Sequence, residues 1–581
     1  MKWVIIFLLL SSVVVANDVI SNGNITLLAL MERDGVKSGT VAHLFLELRP
    51  GSERVYLETY PMTKVTTQAS LRFAQQVACK EVNVDCSKYD FLYTIRAMPG
   101  IVGGPSAGSA ATFLTAAMLL NKSIPDDLAM TGTINSGGII GPVGGLKYKV
   151  EAAANNSVKT VFLPPGTKEF KEDNKTVDLI DYGNELNLTV LEMPTLGDAL
   201  EYALGVPHVV YNDSLEIESR YQRIMREVSE DLCMRTADYF SVPSKANLTQ
   251  AKNFTERAAL EQEKGAYYAA ASYCFRANVD YKREWYEEQN FTKEQLVEKT
   301  ELLKQEARKV RESFESKNIS SLGDVQTFMA VLERVGEAED SLVKISELLE
   351  KNRTDVAPEV GYAEERLFSG ITWARFFDGS PGVITVDEDS LKSVCIAKAS
   401  EAEERYNYVK SMIPEALDST RADLDKAYSL MEEGEYIMCL YTAAKAKSEA
   451  DVVLGLLGVE ENRFDDVIDL KLSVARQALI KAQKKGFFPI IAYSYYEYAI
   501  SLRDFDRVSS LLFAEYALEL SNLDIYFQEK LPEVPVSEPF VIPPEVYIFL
   551  IGFGVGGLFM LLLTRRKTVV KKGRKRRSSR R

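Results

Sequence analysis

The chain has 581 residues, with 83 acidic and 69 basic side chains and a formal net charge of −14 at pH 7. Its length allows several domains. The acidic balance argues against a nucleic-acid partner, because nucleic-acid binders present clustered positive charge.

The first 16 residues have the composition of a secretory signal peptide. Lys2 precedes an almost wholly apolar run, and Ala16 is a small residue at which cleavage can occur. The run is shorter than the roughly 20 apolar residues that a membrane-spanning helix needs. We therefore expect a cleaved signal at 1–16, with a retained N-terminal anchor as the alternative.

Residues 24–205 alternate between strand and helix patterns. Short segments rich in β-branched and large apolar residues predict strands, and longer segments with apolar residues on one face predict helices. This alternation predicts an α/β or α+β domain with a core of its own. The predicted strands are 25–31, 41–48, 54–60, 91–97, 128–134, 160–163 and 188–192, and the predicted helices are 70–82, 105–121, 146–155 and 196–204.

A glycine-rich segment, Gly-Gly-Pro-Ser-Ala-Gly at 103–108, begins the second predicted helix. Gly104 allows close approach of a substrate, and Pro105 favours a helix start. Ser106 is then in the first turn, among unpaired N–H groups that can hold an oxyanion. Ser106 is thus a candidate nucleophile, although this segment alone favours a serine in an ordinary helix start.

A nucleophilic serine needs a base. His43 lies in a predicted strand, and His208 follows Pro207 where the chain leaves the domain, so neither histidine is well placed. Lys149 ends the run Gly-Pro-Val-Gly-Gly-Leu-Lys-Tyr-Lys at 141–149. It can act as a base only if burial or a cationic neighbour lowers its pKa. Taken alone, a lysine there is more simply a solvated charge.

From residue 212 to residue 530 the strand patterns almost vanish, and helical patterns take over. Glycines at 265, 434 and 486 each separate a helical segment from an aromatic residue and a further helix. This pattern predicts helical hairpins with a glycine stop, which resemble tetratricopeptide-like units; a plain bundle is the equal alternative. A predicted Gly-Ser-Pro-Gly loop at 379–382 divides the helical region into residues 212–378 and 383–530. Residues 283–316 predict one long charged helix.

The C-terminal residues predict a membrane anchor. A proline-rich stalk at 531–545 leads to 18 uncharged residues at 546–563, and eleven basic residues follow in the tail 564–581. Such a stretch is long enough to span a bilayer, and basic tails stay in the cytoplasm near anionic lipids. We expect a single-pass protein of the cell membrane, with the bulk of the chain extracellular and the basic tail cytoplasmic.

Two further features agree with an extracellular location. Eleven Asn-x-Ser/Thr sequons lie between Asn24 and Asn352, and the chain has six cysteines. Sequons accept glycans in secreted proteins, and an oxidising compartment permits disulfides. The simplest of the 15 pairings joins 79 with 86, 233 with 274, and 395 with 439; buried free thiols are an equal alternative for the last four cysteines.

Four segments agree in order and spacing with one family. They are Gly-Pro-Ser-Ala-Gly at 104–108, Met-Thr-Gly at 130–132, the run at 141–149 and Lys-Thr-Val-Phe-Leu-Pro at 159–164. Together they resemble the proteolytic domain of Lon proteases over residues 24–205. The resemblance implies an α+β Lon-type domain in which Ser106 is the nucleophile and Lys149 the general base. It assigns supporting roles to Thr131, which would orient Lys149, and to Gly104 and Pro105. Read alone, Thr131 is an ordinary strand residue.

The sequence departs from the Lon pattern in two places. Gly103 stands where these proteases commonly carry an acidic residue, and the 581 residues contain no Gly-x-x-x-x-Gly-Lys-Ser/Thr phosphate loop. We therefore expect an ATP-independent serine endopeptidase without cofactor or metal, whose substrates are peptides or unfolded proteins. The family implies a homo-oligomer, and the two ends of the chain suggest an archaeal surface protein.

Two other hypotheses compete with this one. The first is a catalytically silent surface scaffold or receptor that binds partners through the helical region. The second is a domain that cleaves only its own chain.

Overall fold

The computed structural model describes residues 19–523 and Met560, apart from gaps at 34–35, 61–62, 64, 98–104, 167–168, 173–174, 209, 212, 242–247, 320, 378–385, 414–416, 457–458 and 460. The predicted signal, the stalk, the basic tail and the loop at 379–382 lie outside the described residues. So do Gly103, Gly104 and, except for Met560, the predicted span 546–563. In the described part of the chain, no helix has both the length and the apolar character that crossing a membrane requires.

The N-terminal part is built on a mixed seven-stranded sheet. Its strands within the described residues are β1 (Ser21–Arg33), β2 (Val36–Pro50), β3 (Val55–Tyr60), β4 (Tyr89–Ala97), β5 (Leu128–Met130), β6 (Thr133–Ile134), β7 (Ile140–Gly141), β8 (Thr160–Leu163), β9 (Glu169–Glu172), β10 (Lys175–Asp178) and β11 (Thr189–Glu192). The order in the main sheet is β11-β8-β5-β1-β2-β4-β3, while β6 pairs with β7 and β9 with β10. β2 runs antiparallel to both β1 and β4, and the other neighbours in the main sheet are parallel.

Helices cover both faces of this sheet. They are α1 (Val65–Glu81), α2 (Gly108–Leu119), α3 (Leu146–Ala154), α4 (Leu179–Glu185) and α5 (Leu196–Leu204). One core contains residues of α1, α2 and α5, and a second core contains residues of α3 and α4. In β8, Phe162 enters the first core while Val161 and Leu163 enter the second. A strand buried on both faces is apolar throughout, which is why β8 was visible in the sequence.

Two predicted elements are divided in the structure. The predicted strand 128–134 separates into β5 and β6, because Thr131 and Gly132 turn away from the main sheet. The predicted helix 105–121 begins with a separate 3-10 turn, Pro105–Ala107, before α2. The hairpin of β9 and β10 was not predicted, since its residues are mostly charged and carry little apolar alternation.

The rest of the described chain is helical. Its helices are α6 (Ser219–Phe240), α7 (Thr249–Glu263), α8 (Tyr267–Glu288), α9 (Lys293–Glu315), α10 (Leu322–Glu350), α11 (Ala357–Trp373), α12 (Glu388–Met412), α13 (Asp418–Glu433), α14 (Tyr436–Leu456), α15 (Phe464–Lys484), α16 (Ile490–Leu502) and α17 (Arg507–Ser521). One large hydrophobic core includes residues from both sides of the gap at 378–385. The helices before and after that gap therefore share a core.

The three predicted glycine stops are present. Gly265, Gly434 and Gly486 have φ values of 77°, 85° and 80°, and each lies between two helices. A side chain would strain such left-handed backbone, so glycine is the favoured residue there. A glycine thus ends a helix at each of the three places where the sequence predicted a stop.

The prediction of one long helix at 283–316 is wrong. α8 ends at Glu288, and α9 begins at Lys293 behind a capping box formed by Thr292 and Gln295. Asn290, between the two helices, has φ 48°. Asparagine tolerates this conformation and threonine caps a helix start, so an Asn-x-Thr turn interrupts the charged pattern.

All six cysteines form disulfides. The pairs are Cys79 with Cys86, Cys233 with Cys274, and Cys395 with Cys439. The second bond links α6 to α8, and the third links α12 to α14. These are the simplest pairings that the sequence allowed, and the alternative of buried free thiols is wrong.

Candidate active site

Ser106 lies in the 3-10 turn directly before α2, and its residue is half-buried. Its carbonyl oxygen accepts a hydrogen bond from the Gly132 N–H at 3.1 Å. The Ser109 N–H in turn donates to the Gly132 carbonyl at 3.1 Å. These two bonds fasten the serine turn to the segment that follows β5, so Ser106 is held beside Thr131.

Lys149 lies in the first turns of α3. Gly145, before the helix, has φ 70°, and its carbonyl accepts a hydrogen bond from the Lys149 N–H at 3.1 Å. Leu146 and Val150 face the core, and Lys149 itself is only 2% exposed. The Lys149 ammonium is therefore buried with the apolar side of the helix.

Gly39 explains how α3 comes so close to the sheet. It lies in β2, and a Cβ atom at this position would be 1.7 Å from the Tyr148 carbonyl oxygen. Only a residue without a side chain permits this approach of β2 to the first turn of α3. No pattern in the sequence marked Gly39 as part of the site.

Thr131 joins the two catalytic candidates. The Lys149 ammonium donates a hydrogen bond to Thr131 Oγ1 at 3.0 Å, and the Thr131 hydroxyl is 3.5 Å from the Ser106 carbonyl oxygen. Thr131 is fully buried. The structure therefore brings the predicted orienting residue into contact with the predicted base, over a separation of 18 residues.

Burial lowers the pKa of Lys149 from 10.5 to about 7. Among the described residues, no carboxylate forms an ion pair with this ammonium, so nothing offsets the loss of hydration. Lys147, two residues earlier, lies 3.9 Å from Glu151 with 23% of its side chain exposed. Of the two lysines in the run, Lys149 alone has the environment that a neutral amine requires.

Within the described contacts, no hydrogen bond connects the Ser106 hydroxyl with Lys149 Nζ. Bonds between a nucleophile and its base are often long without substrate and shorten in the complex. The neighbouring segment 98–104, which includes Gly104, lies outside the described residues, and nothing is described of the Pro105 side chain. A neutral amine and a hydroxyl on adjacent segments can exchange a proton once substrate aligns them.

The histidines lie elsewhere. His43 is on an exposed face of β2. His208 Nδ1 is 3.3 Å from Asp198 Oδ1, and the Asp198 carboxylate raises the pKa of His208. In the part of the chain that the structure describes, neither imidazole contacts Ser106, so the choice of lysine over histidine agrees with the geometry.

One group of three carboxylates among the described residues is close enough to share a cation: Asp451, Glu515 and Glu519. Each already has a cationic partner. Arg405 pairs with Asp451 at 2.6 Å, Lys471 with Glu515 at 2.6 Å and Lys398 with Glu519 at 3.0 Å. The group is therefore part of a buried ion-pair network, and its charge is compensated without a metal.

Comparison with known proteins shows which family this part of the chain is similar to. The profile of the Lon protease (S16) C-terminal proteolytic domain matches residues 74–205. A Lon protease of Paraburkholderia phytofirmans is 32% identical over 181 residues, which cover 30% of this chain and 22% of the relative. One from Methanosphaera stadtmanae is 32% identical over 168 residues, covering 28% of this chain and 20% of the relative. Lon protease 2 of Borreliella burgdorferi is 46% identical over 66 residues, or 11% and 8%. The chain thus spans about a fifth of the length of the first two relatives.

Proposed function

We propose that the protein is a serine peptidase with Ser106 as nucleophile and Lys149 as general base. The proposal starts from the match of residues 74–205 to the Lon proteolytic domain. The observation that carries this proposal is the buried Lys149 amine. Its pKa of about 7 and its hydrogen bond to Thr131 are the properties that a lysine base needs. An ordinary structural lysine would be exposed or paired with a carboxylate.

The proposed reaction is peptide-bond hydrolysis through an acyl-enzyme. Neutral Lys149 accepts the Ser106 hydroxyl proton as Oγ attacks the peptide carbonyl, and backbone N–H groups at the serine turn stabilise the oxyanion. Lys149 then protonates the leaving amine, so that the peptide C–N bond breaks. In the second half, Lys149 takes a proton from the water that attacks the ester, and returns it to Ser106 Oγ as the ester C–O bond breaks. Thr131 keeps the amine directed at the site throughout.

We also propose that hydrolysis does not depend on ATP. The 581 residues carry no phosphate-binding loop of the Walker A type, and the helical region after residue 212 takes up the rest of the described chain. Substrates of such an ATP-independent reaction would be peptides, unfolded segments or exposed loops. A homo-oligomer, which the family suggests, would further restrict access to the site.

The proposed location is the outer face of a membrane, with anchoring through 546–563. Eight sequon asparagines lie in the described residues, and all eight are exposed: Asn24, Asn121, Asn155, Asn187, Asn253, Asn290, Asn318 and Asn352. Exposed sequons and three disulfides agree with an oxidising, glycosylating compartment. Glycosidase treatment of protein from the native cell, followed by mass spectrometry, tests this location.

Catalysis is tested with the full-length chain in detergent on casein and a peptide library. Replacement of Ser106 or Lys149 by alanine should lower hydrolysis by about 10³-fold or more, because neither half of the dyad works alone. Lys147→Ala is the matched control and should stay within about threefold of the unmodified protein. ATP should change none of these rates. An inert unmodified protein whose Ser106 also fails to react with a serine-directed phosphonate would instead favour the silent scaffold.

A further inference from the structure

Helix α12 of the helical region reaches the loop after Thr131 and the loop before α3, the helix that carries Lys149. The Gly144 N–H donates a hydrogen bond to the Tyr408 hydroxyl at 3.3 Å. One turn away on the same helix, Arg405 Nη2 donates to the Ile134 carbonyl at 2.9 Å. The helix also packs beside the 3-10 turn that contains Ser106. Three segments of the candidate site thus meet one helix of the other region.

Tyr408 acts on the loop before α3. Gly144 is five residues before Lys149, and the carbonyl of the next residue, Gly145, holds the Lys149 N–H. Because Gly144 and Gly145 lack side chains, the turn has little stiffness of its own. The Tyr408 hydroxyl, carried by α12, therefore determines where the turn lies. The position of the turn sets the direction in which the Lys149 side chain leaves the helix.

Arg405 acts on the loop after Thr131. Besides the Ile134 carbonyl, its Nη2 donates to Asn135 Oδ1 at 2.9 Å. Ile134 pairs with Ile140 in the small β6–β7 ladder, three residues beyond Thr131. Arg405 is 5% exposed and its Nε pairs with Asp451 at 2.6 Å, so the guanidinium is itself held in place.

We propose that Tyr408 and Arg405 are positioning residues for the Ser106–Lys149 pair, so that the helical region completes the active site of the proteolytic domain. The inference rests on the proposed function. The Lys149–Thr131 hydrogen bond joins the segment after β5 to the start of α3, two segments whose backbones pair only in the two-residue β6–β7 ladder among the described strands. A common support on α12 keeps these loops at hydrogen-bonding distance.

Tyr408→Phe tests the inference, because it removes one hydroxyl and leaves the ring. Tyr406→Phe is the matched control on the same helix, since the Tyr406 hydroxyl contacts only Lys410 among the described contacts, at 3.0 Å. We expect Tyr408→Phe to lower kcat about fivefold, the effect of one neutral hydrogen bond, with KM nearly unchanged. The acid midpoint of the pH–rate profile should rise, because a displaced Lys149 is better hydrated. Tyr406→Phe should change neither.

A second readout does not need turnover. Competitive acetylation with acetic anhydride across a pH series, read by peptide mass spectrometry, gives the titration midpoint of Lys149 directly. Tyr408→Phe should raise this midpoint and Tyr406→Phe should not. Equal midpoints and equal kcat in Tyr408→Phe and the unmodified protein would overturn the inference, as would equal effects of the two variants.

The two proposals fail separately. If the unmodified protein shows no Ser106-dependent hydrolysis, the proposed function is wrong, and the acetylation midpoint alone decides whether α12 positions Lys149. If hydrolysis depends on Ser106 but Tyr408→Phe matches the unmodified protein in both readouts, the function stands and the positioning role is wrong.

Discussion

Lys149 is both buried and ionisable, and these two properties oppose each other. A buried ammonium without a counter-ion is unstable, so its amine loses its proton near neutral pH. The position near the N-terminus of α3 adds to this effect, since the helix dipole disfavours positive charge there. Between about pH 7 and 10.5 the unfolded chain binds a proton at this lysine that the folded chain does not bind. The free energy of unfolding therefore rises with pH between these two values. At pH 7 it is lower than it would be at pH 10.5, and this loss accompanies a lysine that can act as a base.

The rate of hydrolysis should follow the titration of Lys149. Below its pKa of about 7 the amine is protonated and cannot accept the Ser106 proton. We expect kcat/KM to rise about tenfold per pH unit in acid and to level off above the midpoint. The measurement is kcat/KM from about pH 5 to about 9, since this ratio reports the free enzyme. Lys147→Ala should leave the midpoint in place, and a rate that still rises about tenfold per pH unit at about pH 9 would contradict the role of burial.

Helix α3 determines where the lysine lies, and two glycines determine where α3 lies. Gly145 supplies left-handed backbone at the helix start, and Gly39 makes room for the Tyr148 carbonyl. The first is visible in the sequence as part of a glycine run. The second is more than 100 residues away, in a strand whose pattern gives no sign of a neighbouring helix.

Gly39→Ala should therefore be far more damaging than an ordinary glycine substitution. Its Cβ would meet backbone at 1.7 Å, so β2 and α3 must separate, at a cost of about 3 kcal/mol or more. Gly205→Ala is the control: Gly205 has φ 62° but nothing within 4 Å, so only backbone strain of about 1 kcal/mol is expected. Urea unfolding measures both. Comparable losses in the two variants would show that α3 does not need the close approach.

The two parts of the chain meet at a buried cluster of charged side chains. Lys398 and Lys447, from α12 and α14, both pair with Glu519 of α17 and lie over the Phe73 ring of α1. Ser70, also on α1, donates a hydrogen bond to Glu404, whose pKa burial raises to about 7. These groups lie between the proteolytic domain and the helices that support its loops. The ion pairs themselves lie within the helical region, and the N-terminal part contributes the Phe73 ring and the Ser70 hydroxyl.

Glu519→Gln removes the carboxylate that two buried lysines share. Burial alone would raise the pKa of Glu519, but Lys398 and Lys447 outweigh this effect and hold the pKa well below its usual range, so the carboxylate is ionised at neutral pH. Loss of this charge should lower the free energy of unfolding by about 3–5 kcal/mol, because Lys398 and Lys447 keep only part of their compensation. Glu301 pairs with Lys304, and half of the Glu301 side chain is exposed. Glu301→Gln should therefore change the free energy of unfolding by less than about 0.5 kcal/mol. A small effect in Glu519→Gln would mean that the network does not stabilise the joined structure.

Local patterns predicted most of the fold. The strands β1, β2, β3, β4, β8 and β11 and the helices α1, α3 and α5 lie within a few residues of their predicted positions, because each presents apolar residues with its own period. Errors occurred where short-range signals conflict. Asn290 and Thr292 divide a charged run into two helices, and the charged β9–β10 hairpin has almost no apolar pattern.

The order and spacing of the serine, threonine and lysine segments and the glycine stops between helices are readable from the sequence alone, whereas for the last four cysteines the sequence left disulfides and free thiols open. Each depends on residues that are near in the chain or on motifs in a fixed order. The packed structure was needed to show which lysine is buried, that Thr131 contacts it, and that α12 contacts the loops after Thr131 and before α3. A pKa depends on how completely water is excluded, and the Gly144–Tyr408 contact spans 264 residues. Neither exclusion of water nor a contact at that distance leaves a periodic trace in the sequence, because both depend on how separately formed elements pack.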